Sequence, residues 1–180
     1  MPSEAAARVL AANGVAPGRL AVDENGVDAP APALRSPHWD ARAPGDPVVV
    51  RYAGGGNALK GPDVLLDALR RLPADLPLRV VAHGIDDALA RADASPTGLP
   101  VEAVPAYAPA DLQAVLDDTD VLVLPSVMRE TFSILTREAL ARGVPVIATD
   151  VLGPEEVVRH DHNGLILPAA VLTAPRLGCF

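Results

Sequence analysis

The stretch that most constrains this chain is Val121 to Asp150, VLVLPSVMRETFSILTREALARGVPVIATD. It opens on four consecutive apolar residues, Val121 to Leu124, the pattern of a strand buried on both faces of a parallel sheet. Pro125 has no N–H to donate and ends the pairing. A loop from Ser126 to Glu130 leads into a helix for which Thr131 or Ser133 offers an N-cap. Gly143 and Pro145 stop that helix, and Val146-Ile147-Ala148 is the next strand. Strand, loop, helix and strand in this order set the loop at the carboxyl edge of a parallel sheet, where such sheets bind ligands.

Two carboxylates frame the helix. Glu130 stands at its mouth, where the helix dipole favours an acid. Glu138 lies four residues after Ile134 and three after Leu135, which predicts a place on the apolar stripe. A carboxylate there is costly unless hydrogen bonds satisfy it. A core-edge ion pair with an arginine and a bound ligand's hydroxyls both meet that need, and the pattern does not separate them.

The remaining chain repeats the same strand-helix unit. Val48 to Tyr52 is the first sheet strand, followed by Gly54-Gly55-Gly56-Asn57, Lys60-Gly61 and a helix from Pro62 to Arg71. Glycines after a strand let backbone N–H groups approach a phosphate, and Lys60 can supply charge. The motif is neither G-x-G-x-x-G nor a Walker loop, and a plain tight turn fits the pattern too. Strands follow at Leu78–Ala82, Val101–Val104 and Leu165–Leu167, with helices near Ile85–Ala92, Pro109–Leu116 and Gly153–Arg159. Tyr107 follows the third strand and His83 ends the second; both read as packing or loop residues. Six alternating units predict an α/β doubly wound, Rossmann-like parallel sheet in the order 3-2-1-4-5-6 with right-handed crossovers. Before it, a helix over residues 3–13, a brief strand Leu20-Ala21-Val22, a turn at Asn25–Asp28 and a proline-rich connector fill residues 1–46. The sheet domain spans 47–168, and residues 169–180 form an unassigned tail.

Composition narrows the class. The 180 residues are 49% hydrophobic with only five aromatics, so the core is built from Val, Leu, Ile and Ala, as suits a β-α-β protein. A net charge of −8 argues against a general nucleic-acid binder and makes any phosphate site local. The lone cysteine, Cys179, supports neither a disulfide framework nor a cysteine metal site. Residues 1–20 lack the features of a signal peptide, no apolar run approaches a membrane span, and the expected address is the cytoplasm. Among fourteen arginines Lys60 is the single lysine, a hint that a compact, flexible charge is needed there.

E-T-F-S-I-L-T-R-E followed by A-L-A-R-G-V-P-V-I-A-T-D resembles the E-x7-E segment of the family 4 (group 1) retaining glycosyltransferases of GT-B architecture. The resemblance runs from about Ser3 to Pro168, with separated segments in the right order. It implies the C-terminal, donor-nucleotide domain of such an enzyme. Glu130 then sits beside the transferred sugar, Glu138 takes the donor ribose, and the N–H groups of Phe132, Ser133 and Ile134 face the sugar and diphosphate. That last role also has a physical basis, because a helix N-terminus is an anion site. Lys60 matches the family's diphosphate lysine, with Gly54 and Gly55 in its loop. Gly55 stands where the family's second basic residue is expected, and Arg129 is the candidate substitute. Tyr107 falls near the nucleotide base.

The function so implied is transfer of a sugar from a nucleotide diphosphate sugar to an acceptor hydroxyl, with no metal and no other cofactor. The implied partners are the donor, an acceptor the sequence does not name, and an N-terminal acceptor domain that precedes N-G-V-D in the family. Helices that follow the sixth strand in the family have no match here, which predicts exposed apolar surface and self-association. Two other readings stand beside it: a nucleotide-sugar-binding module without turnover, and an epimerase or phosphorylase of the same architecture. Asp118-Thr119-Asp120 spells the metal-binding D-x-D of another transferase class, but it precedes a strand and reads as a turn at the wrong edge. His160-Asp161-His162 reads as a solvated loop.

Overall fold

The computed structural model describes residues 1–27, 37–86 and 99–172. Helix α1 (Glu4–Ala12) is capped by Ser3, whose hydroxyl accepts the Ala6 N–H at 3.0 Å. Six strands follow: β1 (Val48–Tyr52), β2 (Leu78–His83), β3 (Val101–Val104), β4 (Val121–Leu124), β5 (Val146–Thr149) and β6 (Gly164–Leu167). All pair in parallel in the order β3-β2-β1-β4-β5-β6, as expected from the repeated units. Between them lie α3 (Pro62–Leu69), α4 (Leu112–Asp117) and α5 (Ile134–Ala141), with α2 (Pro37–Ala41) before the sheet and α6 (Ala169–Leu172) after it. No helix among the described residues is long and apolar enough to cross a membrane.

Strand registers assign the faces. Val50 pairs with Val121 and Tyr52 with Val123, so these side chains share a face with Val80 and Ala82. Leu65 and Leu69 of α3 close over that face. Leu122 pairs with Val146 and Leu124 with Ala148 on the other face, where Leu116 of α4 and Ala139 of α5 pack. Two apolar clusters thus form on opposite sides of one sheet, the arrangement of a doubly wound domain. In α5 the fully buried positions are the small Thr136 and Ala139, which let the helix lie close to the sheet. Ile134 is 46% exposed and Glu138 half-buried, so the expected apolar stripe is not the core face of this helix.

Several local expectations differ from the structure. Leu20 to Val22 joins no sheet; Val22 is exposed, Leu20 N closes the preceding turn on Pro17 O at 3.0 Å, and the segment meets the start of the chain through Met1 N to Ala21 O at 2.6 Å and Asp23 N to Met1 O at 2.8 Å. Three apolar residues with no second face to bury do not make a strand. Within the proline-rich connector, residues 37–41 form α2. His38 there meets Asp118 at 3.6 Å and Asp120 at 3.4 Å, a tertiary contact that local composition does not encode. The helix expected to reach Arg159 is only a 3-10 turn, Pro154–Glu156, because the Asn163 side chain takes the Arg159 N–H and the Val157 carbonyl. The expected turn at Asn25–Asp28 extends past the described residues. The expected helix at 85–92, the loop at 93–100 and the tail at 169–180 fall largely outside them, as does Cys179.

D-x-D is a structural turn at the amino edge of the sheet. Asp120 accepts the Val49 N–H at 2.8 Å and Thr119 accepts Arg51 Nε at 2.7 Å. Arg51 is buried and spends its other donors on Asp118, at 2.9 Å, and on His83 Nε2, at 2.8 Å. Because the guanidinium can only donate, His83 Nε2 must accept, and Nδ1 carries the proton given to Pro105 O at 3.1 Å. Burial lowers the His83 pKa; the Pro105 bond opposes that shift and the Arg51 charge adds to it.

Two predictions follow from the packing. Gly61 has φ 74°, and a Cβ there would stand 2.0 Å from Pro125 O, whereas Gly55 at φ 71° faces open space. Gly61→Ala should cost about 2–4 kcal/mol and Gly55→Ala about 1 kcal/mol. Thermal melts should therefore rank them in that order, with roughly 5–15 °C lost for the first. For His83, the unfolded chain takes up a proton near pH 6.5 while the folded chain, with its pKa lowered, does not. Its contribution to stability is complete above about pH 6.5 and falls as acid is added toward the folded pKa. A melt series from about pH 7.5 to 5 should show that loss, and His83→Gln should flatten it.

Candidate functional site

β1 and β4 are neighbours although α3, β2 and β3 intervene in sequence, so their carboxyl ends open into one crevice. The cleft there holds about 230 Å³. Gly54 and Lys60 enter from the β1 side; Ser126, Glu130 and Ser133 enter from the β4 side. Leu124, Ile134 and Leu135 supply an apolar wall, which explains why Ile134 is exposed. Tyr107, after β3, closes the third side. A larger groove, about 440 Å³, lies between α1 and residues 17–22, where Glu4 and Arg8 stand among apolar residues.

The turn carrying Lys60 is built locally. Asn57 caps it by accepting the Leu59 N–H at 2.9 Å, and Gly61 reverses the chain. Tyr52, buried at the end of β1, donates its hydroxyl to Gly55 O at 2.8 Å. A Cβ on Gly54 would stand 2.4 Å from that hydroxyl, so the loop needs glycine at this position. The opposite loop is pinned to the same turn: Ser126 Oγ donates to Leu59 O at 3.1 Å and Val127 N to Leu59 O at 3.0 Å. Glu130 is fixed by its backbone, its N–H on Val151 O and its carbonyl accepting Gly153 N, both at 2.8 Å.

With both loops held, Lys60 Nζ lies 2.8 Å from Glu130 Oε1. Their side chains are 35% and 14% exposed, so the pair sits partly shielded in the cleft. It contains one cation and one anion that a charged ligand would have to separate.

Ser133 occupies the N-cap position of α5 but makes no capping bond through its side chain. Its φ of 57° is left-handed, and its hydroxyl turns instead to Thr136 Oγ1 at 2.8 Å. Neither Ser133 nor Thr131 is therefore the side-chain cap expected of them. The first-turn amides of α5 have no intrahelical acceptor, and a capping hydroxyl does not cover them. Phe132 is buried beneath, its ring 3.8 Å from the Arg137 guanidinium carbon. Tyr107 meets His83 edge-on at 5.3 Å, and its hydroxyl pKa is raised first by burial and then by the charge of Glu138. Glu138 therefore stands near the Tyr107 end of the cleft. Arg142 donates to the Glu138 backbone carbonyl at 3.0 Å.

Gly54, Lys60, Tyr107, Glu130, Ser133 and Ile134 are thus brought to one cleft, with Gly55, Phe132 and Glu138 beside it. Arg129 is not. It is exposed, lines no part of the cleft, and has no hydrogen bond or ion pair among the described residues. Sequence reasoning missed Arg137, which is buried, donates to Phe132 O and to Gly153 O at 3.3 Å, and pairs with Glu156 at 3.0 Å. An arginine between Thr136 and Glu138 reads as a solvated helix residue, and only the folded loop around it shows otherwise.

Comparison with known proteins identifies the family and the fold. The chain is 35% identical over 130 residues to the D-inositol 3-phosphate glycosyltransferase of Xylanimonas cellulosilytica, covering 69% of this chain and 31% of that protein. It is 30% identical over 169 residues to the putative colanic acid biosynthesis glycosyltransferase WcaL of Salmonella typhimurium, covering 88% of this chain and 41% of that protein. The chain therefore spans about a third of the length of the first of these relatives. Among solved structures it superposes on Anabaena HepE in complex with UDP, with a TM-score of 0.72, 19% identity, and coverage of 95% of this chain and 51% of that one. The lipopolysaccharide outer core galactosyltransferase WaaB matches with a TM-score of 0.71, 20% identity, and coverage of 92% and 47%. At these identities the structural matches establish the GT-B-type fold alone. The family model for glycosyl transferases group 1 matches residues 47–174, the whole sheet and its crossovers, and the chain belongs to that family.

Proposed function

We propose that this chain is the donor-nucleotide half of a retaining, metal-independent glycosyltransferase. The observation that carries the proposal is the Lys60–Glu130 pair at 2.8 Å in a cleft that also receives the first turn of α5. A nucleotide diphosphate supplies the anion that Lys60 and the uncapped amides at Ser133 and Ile134 can accept. That charge neutralisation stabilises the departing diphosphate and needs no divalent ion in this scheme. Glu130, released from Lys60 by the incoming phosphate, orients the sugar and stabilises positive charge developing on its ring. Glu138, at the Tyr107 end, takes the ribose hydroxyls. The retaining outcome is supported by the resemblance of the E-x7-E segment. The UDP named with Anabaena HepE makes a uridine nucleotide the first donor to test.

The acceptor half of such an enzyme belongs to the whole protein, and transfer is proposed for that whole. A module that binds a donor without turning it over is the second reading.

Thermal shift with UDP, GDP, ADP and their sugar conjugates tests the site directly. A ligand at about a hundred times its dissociation constant should add roughly 2.7 kcal/mol, or about 5–10 °C for a chain of this size. The shift is expected for one base and lost in Lys60→Ala and Glu138→Ala; no shift from any nucleotide, in a chain that melts cooperatively, sinks the donor site. Glu130→Gln gives a second and less obvious outcome. Removing the anion that occupies Lys60 should leave UDP affinity equal or up to about fivefold tighter, while sugar transfer by the complete enzyme is lost. Weaker UDP binding in Glu130→Gln would contradict the proposed competition.

A further inference from the structure

Helix α1 is remote in sequence from the cleft, yet its N-terminus is tied to the loop that carries the cleft's amides. The Ser3 hydroxyl, fully buried, donates to Thr131 O across 128 positions of sequence while accepting the Ala6 N–H. The Ala5 N–H meets Glu156 Oε1 at 2.5 Å. The other oxygen of Glu156 receives Arg137 Nη2 at 3.0 Å, and Arg137 Nη1 donates to Phe132 O. Two successive carbonyls of the loop, Thr131 and Phe132, are therefore each held from outside the loop by a buried donor.

This matters because of peptide geometry. In a trans peptide the carbonyl of one residue and the N–H of the next point in opposite directions across the same plane. Drawing the Thr131 carbonyl toward Ser3 turns the Phe132 N–H away from α1. Drawing the Phe132 carbonyl toward Arg137 turns the Ser133 N–H away from that side chain. Ser133 lines the cleft and sits at φ 57°, a conformation that a serine keeps only where its surroundings over-determine it. No cis peptide intervenes.

We propose that Ser3 and Arg137 are positioning residues that hold the Thr131–Phe132 and Phe132–Ser133 peptides with their N–H groups presented to an anionic ligand. Neither side chain touches that ligand. Arg137 is the fixed post, buried under Phe132 within the sheet domain. Ser3 holds the loop from α1, whose Ala5, Ala6 and Ala7 are buried and whose Ala5 N–H is tied to Glu156. The site's affinity for diphosphate is thereby coupled to the docking of a helix that contributes nothing to the cleft itself. The ligand's identity rests on the donor-site reading; the holding of the peptides does not.

Amide NMR of the full chain, with Ser3→Ala and Ser3→Thr, tests the proposal, and UDP and inorganic pyrophosphate serve as probes. In the ligand-free protein, Ser3→Ala should shift the Phe132 amide resonance and speed its exchange, while amides of β4 and β5 stay as in wild type. Ser3→Thr, which keeps a hydroxyl and a competent cap, should restore the wild-type pattern. Affinity for both probes should fall by about fivefold in Ser3→Ala, the effect of losing one hydrogen bond, and return in Ser3→Thr. An unchanged Phe132 amide in Ser3→Ala overturns the proposal. So does a general loosening of β4 and β5, which would make α1 a support of the whole fold. If wild type binds neither probe and the Phe132 amide still responds to Ser3→Ala, the donor reading fails and the positioning role stands.

Discussion

The pairing of β1 with β4 is the constraint on which the rest of this structure depends. It brings together strands between which β2 and β3 intervene in sequence, and it is where the sheet's order reverses. α3 leaves β1 for one face and α5 leaves β4 for the other. The loops therefore diverge at the carboxyl edge, and a crevice opens that no other pair of neighbouring strands provides in this order. Everything proposed as site machinery enters through that opening: a glycine turn with a lysine from one side, an acidic loop and a helix start from the other.

Buried arginines act as internal posts on either side of the plan. At the amino edge Arg51 gathers Thr119, Asp118 and His83 and so joins β1, β2 and the turn into β4. Near the cleft Arg137 gathers Phe132, Gly153 and Glu156 and so joins α5 to two loops. A guanidinium suits both places because it offers several donors in a fixed plane and stays charged on burial. Removing Arg137 would take the buried side-chain donor from the Phe132 and Gly153 carbonyls, and removing Arg51 would take one from the Asp118 carbonyl, losses that cost more than the bonds themselves contribute. With so few aromatics to fill space, polar posts of this kind supply the definition that large rings give other cores.

The cleft combines rigid parts with one exchangeable contact. The backbone of Glu130, the Leu59 carbonyl and the Tyr52 hydroxyl are all fixed by bonds that a ligand has no reason to break. The Lys60–Glu130 pair is different, since each member has a use for a ligand's opposite charge. Such a pair sets one positive and one negative charge against each other inside the cleft of a protein of net charge −8.

The fold was legible because its signals are local. Short, largely apolar runs of three to five residues marked all six strands of the sheet, and their repeated alternation with helical segments predicted their order. The placement of the loops carrying Lys60, Glu130 and the start of α5 was legible for a related reason, since each joins a strand to a helix and a parallel sheet sends all such loops to one edge; the roles expected of these residues came from the family resemblance. Sequence alone did not supply the left-handed Ser133, the arginine posts, the helix at residues 37–41, the exposure of Arg129 or the tie from Ser3 to Thr131. Each depends on partners far away along the chain, at a separation of 128 residues in the last case. The order of residues determined which groups share the cleft, because periodicity and breakers act over a few residues. Only the tertiary structure decided which of those groups are held, which are free to meet a ligand, and which way their amides face, because those outcomes are set by hydrogen bonds that close after the chain has folded.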